Sequence, residues 1–509
     1  MQENAKMIKE SGLLSEEVYN NDYFNGSDDL VDSDDLEKDY QIVGKRSTDS
    51  GFQGLLLKNG NDYVFVFRGT EGNLFKDPLS EVYKDLIVSD IMFMGTGRIP
   101  QQMKDAMKFI KEMMIANGDI NLTNTTLTGH SLGGAIAGMA SYVFGFDAYT
   151  YNGFGINNML WSADDTSTDL HPKEVKYVAG MPIDVRETLG EYLETIGVDV
   201  KKETNKITNI IQLGPDQWEL VGDVLTDIVS GQTGETHFII NQSDKESDQG
   251  IVSNHGIKTF NKSIAVYNTI LEIFKTKHKD MDYDSLTDNL KFVVPKVKKV
   301  KRFLESLDEI VQADDADDVA EFAKNIKAKA PTDIEIYFYK DFSQSAIKLQ
   351  ADSHAGLYSI LKLNPFIVTG VDYTHLNVED YLEKKSYSDN FIKDRSKFLY
   401  YTMNKNTTDI EFEDKTLDYS IKSATQGPKY IFGKDDNDDI AGAEADDRLY
   451  GMGGNDIMRG EQGDDFLEGG KGRDTMYGGN GNDIFYIAGK DKACDIFNGG
   501  DGQLILLCY

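Results

Sequence analysis

A nine-residue period runs through the C-terminal part of this chain. Glycine recurs at Gly433, Gly442, Gly451, Gly460, Gly469 and Gly478. Five residues after each stands an aspartate: Asp438, Asp447, Asp456, Asp465, Asp474 and Asp483. Two residues further on stands a large apolar side chain: Ile440, Leu449, Met458, Leu467, Met476 and Phe485. Three residue classes held in phase over six repeats argue against a glycine-rich linker, which has no need to keep apolar residues in register. Glycine permits the positive-φ backbone of a tight recurring turn, and each apolar residue ends a short strand and points into a narrow core shared by neighbouring coils. The spacing therefore predicts a parallel β-roll over residues 429–490, with 491–509 as a tail.

Each aspartate then falls in a turn, and stacked turns bring carboxylates into rows that repel one another unless a cation neutralises them. Calcium, a hard ion that takes several oxygen ligands, suits such rows, so the six aspartates are candidate metal ligands and folding of the segment is expected to require calcium. The first two repeats fit less well, because Lys434 to Asp436 and Ala443 to Ala445 lack the inner glycines. The turns at Asp456, Asp465, Asp474 and Asp483 fit best. The repeat resembles that of RTX proteins, and the resemblance implies export through a type I secretion channel of a Gram-negative bacterium, with folding outside where calcium is abundant. The stretch after Tyr486 is short for the uncleaved export signal usual in such proteins.

Composition agrees. Fifty-three Lys and Arg against 86 Asp and Glu leave a formal charge of −33 over 509 residues. Such a polyanion repels nucleic acid, and it repels anionic membrane surfaces unless cations intervene. Apolar residues at 40% supply a packed core. Only Cys494 and Cys508 are present, so no disulfide framework is expected. No run approaches the roughly 20 apolar residues of a membrane span. The opening residues lack the basic-then-apolar order of a cleavable signal peptide, which disfavours Sec-type export and membrane anchoring.

Residues 1–265 alternate strand-like and helix-like stretches. NDYVFVFRG, NLTNTTLTG, FDAYTYNG and KITNIIQLG read as strands; QQMKDAMKFIKEMMIANG and GGAIAGMASYVFG read as helices. The alternation predicts an α/β domain with a mostly parallel sheet covered on both faces. Residues 266–428 mix helical and strand-like pieces and carry no evident chemistry; they read as a mixed helical connector region.

The sharpest chemical signal is Gly129-His130-Ser131-Leu132-Gly133-Gly134. It fits G-x-S-x-G between a β-prone run and a helix of small residues, the setting of a nucleophile elbow. A nucleophilic serine needs a base, oriented in turn by a carboxylate, and in this fold the chain order is Ser, acid, His. His255, in a loop ahead of a helix-like run, is the favoured base, with His237 as the alternative. Asp216, just past the strand KITNIIQL, is the favoured acid, with Asp223 the alternative; strand ends are where the sites of open α/β sheets gather. Backbone N–H donors for an oxyanion are expected at Leu132 and in the strand exit Phe67-Arg68-Gly69-Thr70.

Taken together, VFRGT, GHSLGGA, TYNGFGI, the acid after KITNIIQL and HGIKTF resemble the class-three lipase family over roughly residues 40–265. The resemblance implies an α/β-hydrolase fold, a Ser131–Asp216–His255 triad, an oxyanion hole at Thr70 and Leu132, and hydrolysis of carboxylic esters of lipids, whether as phospholipase A1 or as lipase. It implies a lipid or phospholipid substrate and transient contact with a membrane surface. Where relatives often carry T-F-G-x-P, this chain has Thr150-Tyr151-Asn152-Gly153-Phe154-Gly155, so acyl-pocket details do not carry across. Ile156 to Lys206, with Met92-Phe93-Met94, is the candidate lid.

Overall fold

The computed structural model describes residues 2–26, 30–31, 36–69, 99–153, 156, 177–178, 181–182, 189–201, 206–213, 234–240, 257–274, 281–293, 299–314, 316, 318–376, 387–403, 409–423, 425–487 and 494–508. The chain divides into two compact units: residues 1–287 with 316–324, and residues 288–315 with 325–509.

In the first unit the described strands are β1 (Leu30–Val31), β2 (Tyr40–Ser47), β3 (Gln53–Asn59), β4 (Asp62–Phe67), β5 (Thr125–His130), β6 (Asp147–Tyr151), the small hairpin β7 (Tyr177–Val178) with β8 (Met181–Pro182), β9 (Ile207–Leu213) and β10 (Glu235–Ile240). Apart from the hairpin they form one sheet in the order β1-β2-β3-β4-β5-β6-β9-β10. The first four pair antiparallel and β4 to β10 pair parallel. Its helices include α1 (Gln2–Glu17), α2 (Gln101–Ala116), α3 (Leu132–Phe144), α4 (Leu189–Ile196), α5 (Ile257–Phe274) and α6 (Tyr283–Leu290). This is the expected α/β fold with a mostly parallel sheet. The expected boundary at residue 265 falls inside α5.

The alternation of β4 shows why the sheet needs cover on both faces. Tyr63, Phe65 and Phe67 enter one core, with Met103, Met107, Phe109 and Ile110 of α2 and Ile136, Met139 and Val143 of α3. Val64 and Val66 enter the other, with Leu55, Leu57, Leu14 and Val18. Side chains two residues apart share a face, so one strand serves two cores. The small residues of α3 let it lie close to the sheet, and it ends at Gly145, whose φ of 79° is the left-handed geometry of a helix C-terminus.

Helix α1 had no counterpart in the sequence reading. It lies against β5 and β6: Ser15 Oγ is 2.8 Å from Thr128 Oγ1, and the Tyr151 hydroxyl donates to the Ile8 carbonyl at 2.5 Å. At the far side of the sheet, α6 caps the free edge of β10. The Phe238 N–H donates to Asp284 Oδ1 at 3.1 Å, and the Thr287 hydroxyl donates to the Phe238 carbonyl at 2.6 Å. Capping an open edge in this way blocks pairing with another chain.

The second unit opens with a mixed region in which β11 (Glu335–Phe338) and β12 (Phe366–Thr369) pair antiparallel beside Phe303. The roll follows: β13 (Glu411–Asp414), β14 (Tyr419–Ile421), β15 (Lys429–Phe432), β16 (Asp439–Ala443), β17 (Arg448–Tyr450), β18 (Ile457–Gln462), β19 (Phe466–Glu468), β20 (Thr475–Asn480), β21 (Asp483–Ile487), β22 (Ile496–Asn498) and β23 (Leu504–Cys508). One sheet runs β14-β13-β15-β17-β19-β21-β23 and the other β16-β18-β20-β22. Successive nonapeptides therefore alternate between sheets, and two make one coil. Ile431, Leu449, Leu467 and Phe485 stand in register on one side; Ile440, Met458 and Met476 do so on the other. Together they form the roll's core, so all six predicted apolar positions point inward. Pairing begins before residue 429, at β13, and continues past residue 490 through β22 and β23.

A helix over Asp389–Met403 covers the outer face of the larger sheet. Phe391 and Phe398 pack on Phe432, Phe391 also meets Tyr450, and Phe398 meets Phe412. Two ion pairs lie among these rings, Arg395 with Asp414, both buried, and Arg448 with Asp394, whose arginine is half-buried.

Candidate functional site

Ser131 stands at the bend between β5 and α3 with φ 58° and ψ −126°. A non-glycine residue rarely adopts positive φ, and strain of this kind persists where the surroundings over-determine it. Here the Ser131 N–H donates to the Tyr151 carbonyl at 3.0 Å, and its own carbonyl accepts from the Ala135 N–H at 3.1 Å. The bend is thus pinned from β6 and from the first turn of α3. Serine at a helix start ordinarily turns its hydroxyl to the helix N–H groups; the Ser131 side chain makes no such capping bond. Leu132 is the first residue of α3 and is buried, so its N–H belongs to the unpaired first turn that can face an anion.

Two glycines let the elbow close on β4. A Cβ on Gly133 would sit 2.1 Å from the Phe67 carbonyl oxygen. A Cβ on Gly69 would sit 2.3 Å from the His130 carbonyl oxygen and 3.0 Å from Cβ of Ser131. The strand exit singled out for an oxyanion donor therefore lies directly beside the backbone of His130 and Ser131. Thr70 itself lies outside the described residues, as do Asp216, Asp223, His255 and Met92 to Met94. Strand β9 ends at Leu213, three residues before Asp216, and α5 begins at Ile257, two residues after His255.

His237, the alternative base, is described. It pairs with Ile210, Ile210 with Tyr151, and Tyr151 with His130. Three strand spacings, about 14 Å, separate it from His130, the residue before Ser131. Its Nδ1 bonds Asp284 Oδ2 at 2.8 Å, and that hydrogen bond holds its pKa above the ordinary value. Its setting is that of a structural histidine. Within the candidate lid, most residues lie outside the described ones. Helix α4, however, buries Leu189 and Leu193 in the core beside α2, and the Tyr192 hydroxyl donates to the Lys104 carbonyl at 2.9 Å. That part of the segment belongs to the body of the fold.

Sequence reasoning missed the residues packed behind the elbow. The Tyr19 hydroxyl lies 3.1 Å from His130 Nδ1. Arg68 stacks on the Tyr19 ring with its guanidinium 5.3 Å from the centroid, and its Nη1 donates to Asn21 Oδ1 and Gln53 Oε1, both at 2.6 Å. Nothing local in the sequence marks these contacts.

In the roll, the aspartates form a ladder. Backbone N–H groups of Lys429, Asp438, Asp447, Asp456 and Asp465 donate to Oδ1 of Asp447, Asp456, Asp465, Asp474 and Asp483, one coil on, at 2.7–3.1 Å. The second oxygens divide the turns into two kinds. Oδ2 of Asp438 accepts from the Lys434 N–H at 2.6 Å, and Oδ2 of Asp447 accepts from the Ala443 N–H. In the later turns the equivalent residues have positive φ: Met452 78°, Glu461 81°, Gly470 97° and Gly479 108°. Oδ2 of Asp456, Asp465 and Asp483 is there buried without a hydrogen-bond donor. Burial pushes the Asp456 and Asp465 carboxyls up to about 7. Buried carboxylate oxygens without donors are what a hard cation would satisfy, so these later turns fit calcium. Among the described residues no three acidic, histidine or cysteine side chains converge into a metal group; calcium's further oxygen ligands would come from backbone carbonyls or water.

Comparison with known proteins matches two parts of the chain. Residues 10–185 match the Tle-like phospholipase domain, and residues 432–467 and 460–486 match the RTX calcium-binding nonapeptide repeat. The extracellular phospholipase A1 of Serratia liquefaciens is 31% identical over 148 residues, which is 29% of this chain and 41% of that protein. The chain thus spans about two fifths of the length of the curated relative it matches. Among solved structures, a Rhizomucor miehei lipase propeptide complex is 14% identical with a TM-score of 0.26, covering 47% of this chain and 68% of that one. The extracellular lipase of Serratia marcescens is 15% identical with a TM-score of 0.14, covering 91% and 54%. Likeness at such scores says nothing about substrate. The chain joins a region similar to the Tle-like phospholipase domain, built around the Ser131 elbow, to a roll of RTX calcium-binding repeats.

Proposed function

We propose that this chain is a secreted lipolytic serine hydrolase that cleaves carboxylic esters of lipids, as a phospholipase A1 or a lipase. The observation that carries the reading is Ser131, a non-glycine residue held at positive φ between β5 and α3 with Gly69 against its Cβ. In the proposed reaction, Ser131 Oγ attacks the ester carbonyl while His255 takes its proton and Asp216 orients the imidazole. The N–H groups of Leu132 and Thr70 receive the oxyanion. The tetrahedral intermediate collapses, the alcohol leaves with the proton from His255, and water, deprotonated by the same histidine, releases the fatty acid from the acyl-serine. The family of the repeats supports export through a type I channel and folding in extracellular calcium. Among the described residues no helix is long and apolar enough to cross a membrane.

The test is Ser131→Ala in the full chain, assayed on soluble esters, triacylglycerol and phospholipid vesicles with and without calcium. Loss of kcat on the order of 10⁴–10⁶-fold with the fold retained is expected. Wild-type protein should carry a phosphonate on Ser131 by peptide mass. An alanine variant that kept most of its rate would end the assignment, and wild-type protein inert to phosphonate would point instead to a calcium-binding surface protein without activity.

A further inference from the structure

We infer that the Tyr19 hydroxyl is a positioning group for ester hydrolysis, tying the oxyanion strand exit to the residue before the nucleophile; the inference rests on the Ser131 reading above. Two contacts meet at this hydroxyl. It stands within hydrogen-bond distance of His130 Nδ1, at 3.1 Å. The same hydroxyl lies 2.8 Å from the point where a Gly69 Cβ would stand, and Cβ of Ser131 lies 3.0 Å from that point. One oxygen thus bridges the two backbone segments whose separation sets the distance between the nucleophile and the donor expected at Thr70.

The bridge is built rather than incidental. The Arg68 guanidinium covers the Tyr19 ring, and Asn21, two residues on, holds Arg68 through Nη1. The turn after α1 therefore grips both residues that precede the reacting segments, Arg68 before Gly69-Thr70 and His130 before Ser131. Helix α1 anchors that turn through Ser15 on Thr128 of β5 and through Ile8 on Tyr151 of β6. Donors aimed at a transition state lose their value when displaced by a fraction of an ångström. Tyr19 touches neither substrate nor the reacting atoms; it acts through Gly69 and His130.

The experiment uses the full chain with Tyr19→Phe, which keeps the ring under Arg68 and removes only the oxygen. Steady-state kinetics on p-nitrophenyl butyrate, the second-order rate of phosphonate labelling at Ser131, and the melting temperature are measured together. The expected result is a fall in kcat of roughly ten- to a hundredfold, KM within about twofold, and an equal fall in labelling rate, all well below the melting temperature. His130→Leu should match it, and the double variant Tyr19→Phe/His130→Leu should be no slower than either single change, because both break one relay. An unchanged kcat with a lowered melting temperature, or additive losses in the double variant, would overturn the inference. If Ser131→Ala remained active the hydrolase reading itself would fail; if it were inactive and Tyr19→Phe fully active, only this inference would.

Discussion

The backbone N–H of Asp447 donates to Oδ1 of Asp465, eighteen residues on, at 2.7 Å. Asp447, Asp456, Asp465, Asp474 and Asp483 are each bonded across the coils in this way by one carboxylate oxygen, and the second oxygen distinguishes a turn closed by protein from one open to a cation. Asp438 and Asp447 are closed, and Lys415 Nζ stands 3.6 Å from Asp438 as well. Asp465→Asn keeps an acceptor for the Asp447 N–H and removes a ligand charge. It should weaken calcium binding on the order of ten- to a hundredfold, as alteration of a metal site's support commonly does. Asp447→Asn should leave calcium binding within about twofold, since no open oxygen is lost. Calorimetric titration of the full chain checks both, and equal losses at the two positions would contradict the division of the turns.

Gly133 and Gly138 both lie on α3, yet alanine should act oppositely at them. At Gly133 a Cβ would meet the backbone of Phe67 at 2.1 Å, where nothing flexible can yield. Gly133→Ala should cost about 3 kcal/mol or more and pull the elbow from β4, lowering activity. At Gly138 the nearest atom to a new Cβ is Ile156 Cδ1 at 3.4 Å, ordinary contact. Gly138→Ala should be neutral or stabilising by about 0.5–1 kcal/mol, the helix preference for alanine. Denaturant titration of the two variants separates them.

His237 gives the first unit a pH dependence of defined sign. The hydrogen bond to Asp284 raises its folded pKa above the ordinary 6.5, against the effect of burial. A raised folded pKa contributes stability that is complete below 6.5 and is lost as pH climbs through the folded value. The melting temperature of the first unit should therefore decline as pH rises from about 6 to 8, and Asp284→Asn should flatten that slope. An unaltered slope in the variant would remove His237 as its source.

Arg395 and Asp414, 5% and 2% exposed, are paired beneath the aromatic rings that cover the roll. Asp414→Ala leaves a buried guanidinium without its counter-charge and should cost about 3–5 kcal/mol. Replacing both, as Arg395→Met with Asp414→Leu, should be milder than either single change, because no charge is then left stranded. Double-mutant denaturation measures the coupling.

What was legible in the sequence followed from local rules. The placement of Ile440, Leu449, Met458, Leu467, Met476 and Phe485 in one core follows from their phase, and the strand–bend–helix about Ser131 follows from Gly129 and Gly133 flanking it. The departure in the first two repeats, where inner glycines are missing, also pointed to the two turns the protein closes. Other features left no local trace. Helix α1 is too evenly polar to announce the face it buries, and β13, β22 and β23 extend the roll with strands that depart from the nine-residue pattern. The cover of the roll by Phe391 and Phe398 depends on partners in separate strands.

By itself, then, the amino-acid order determined a repeating coil with acidic turns and a serine on a sharp bend, because periodicity and turn geometry act over a few neighbouring residues. Tertiary structure alone decided which carboxylate oxygens stay open and that Tyr19 meets His130 across 111 residues of chain. Those outcomes depend on where a single N–H or hydroxyl comes to rest after distant segments have packed, and no spacing along the chain encodes that.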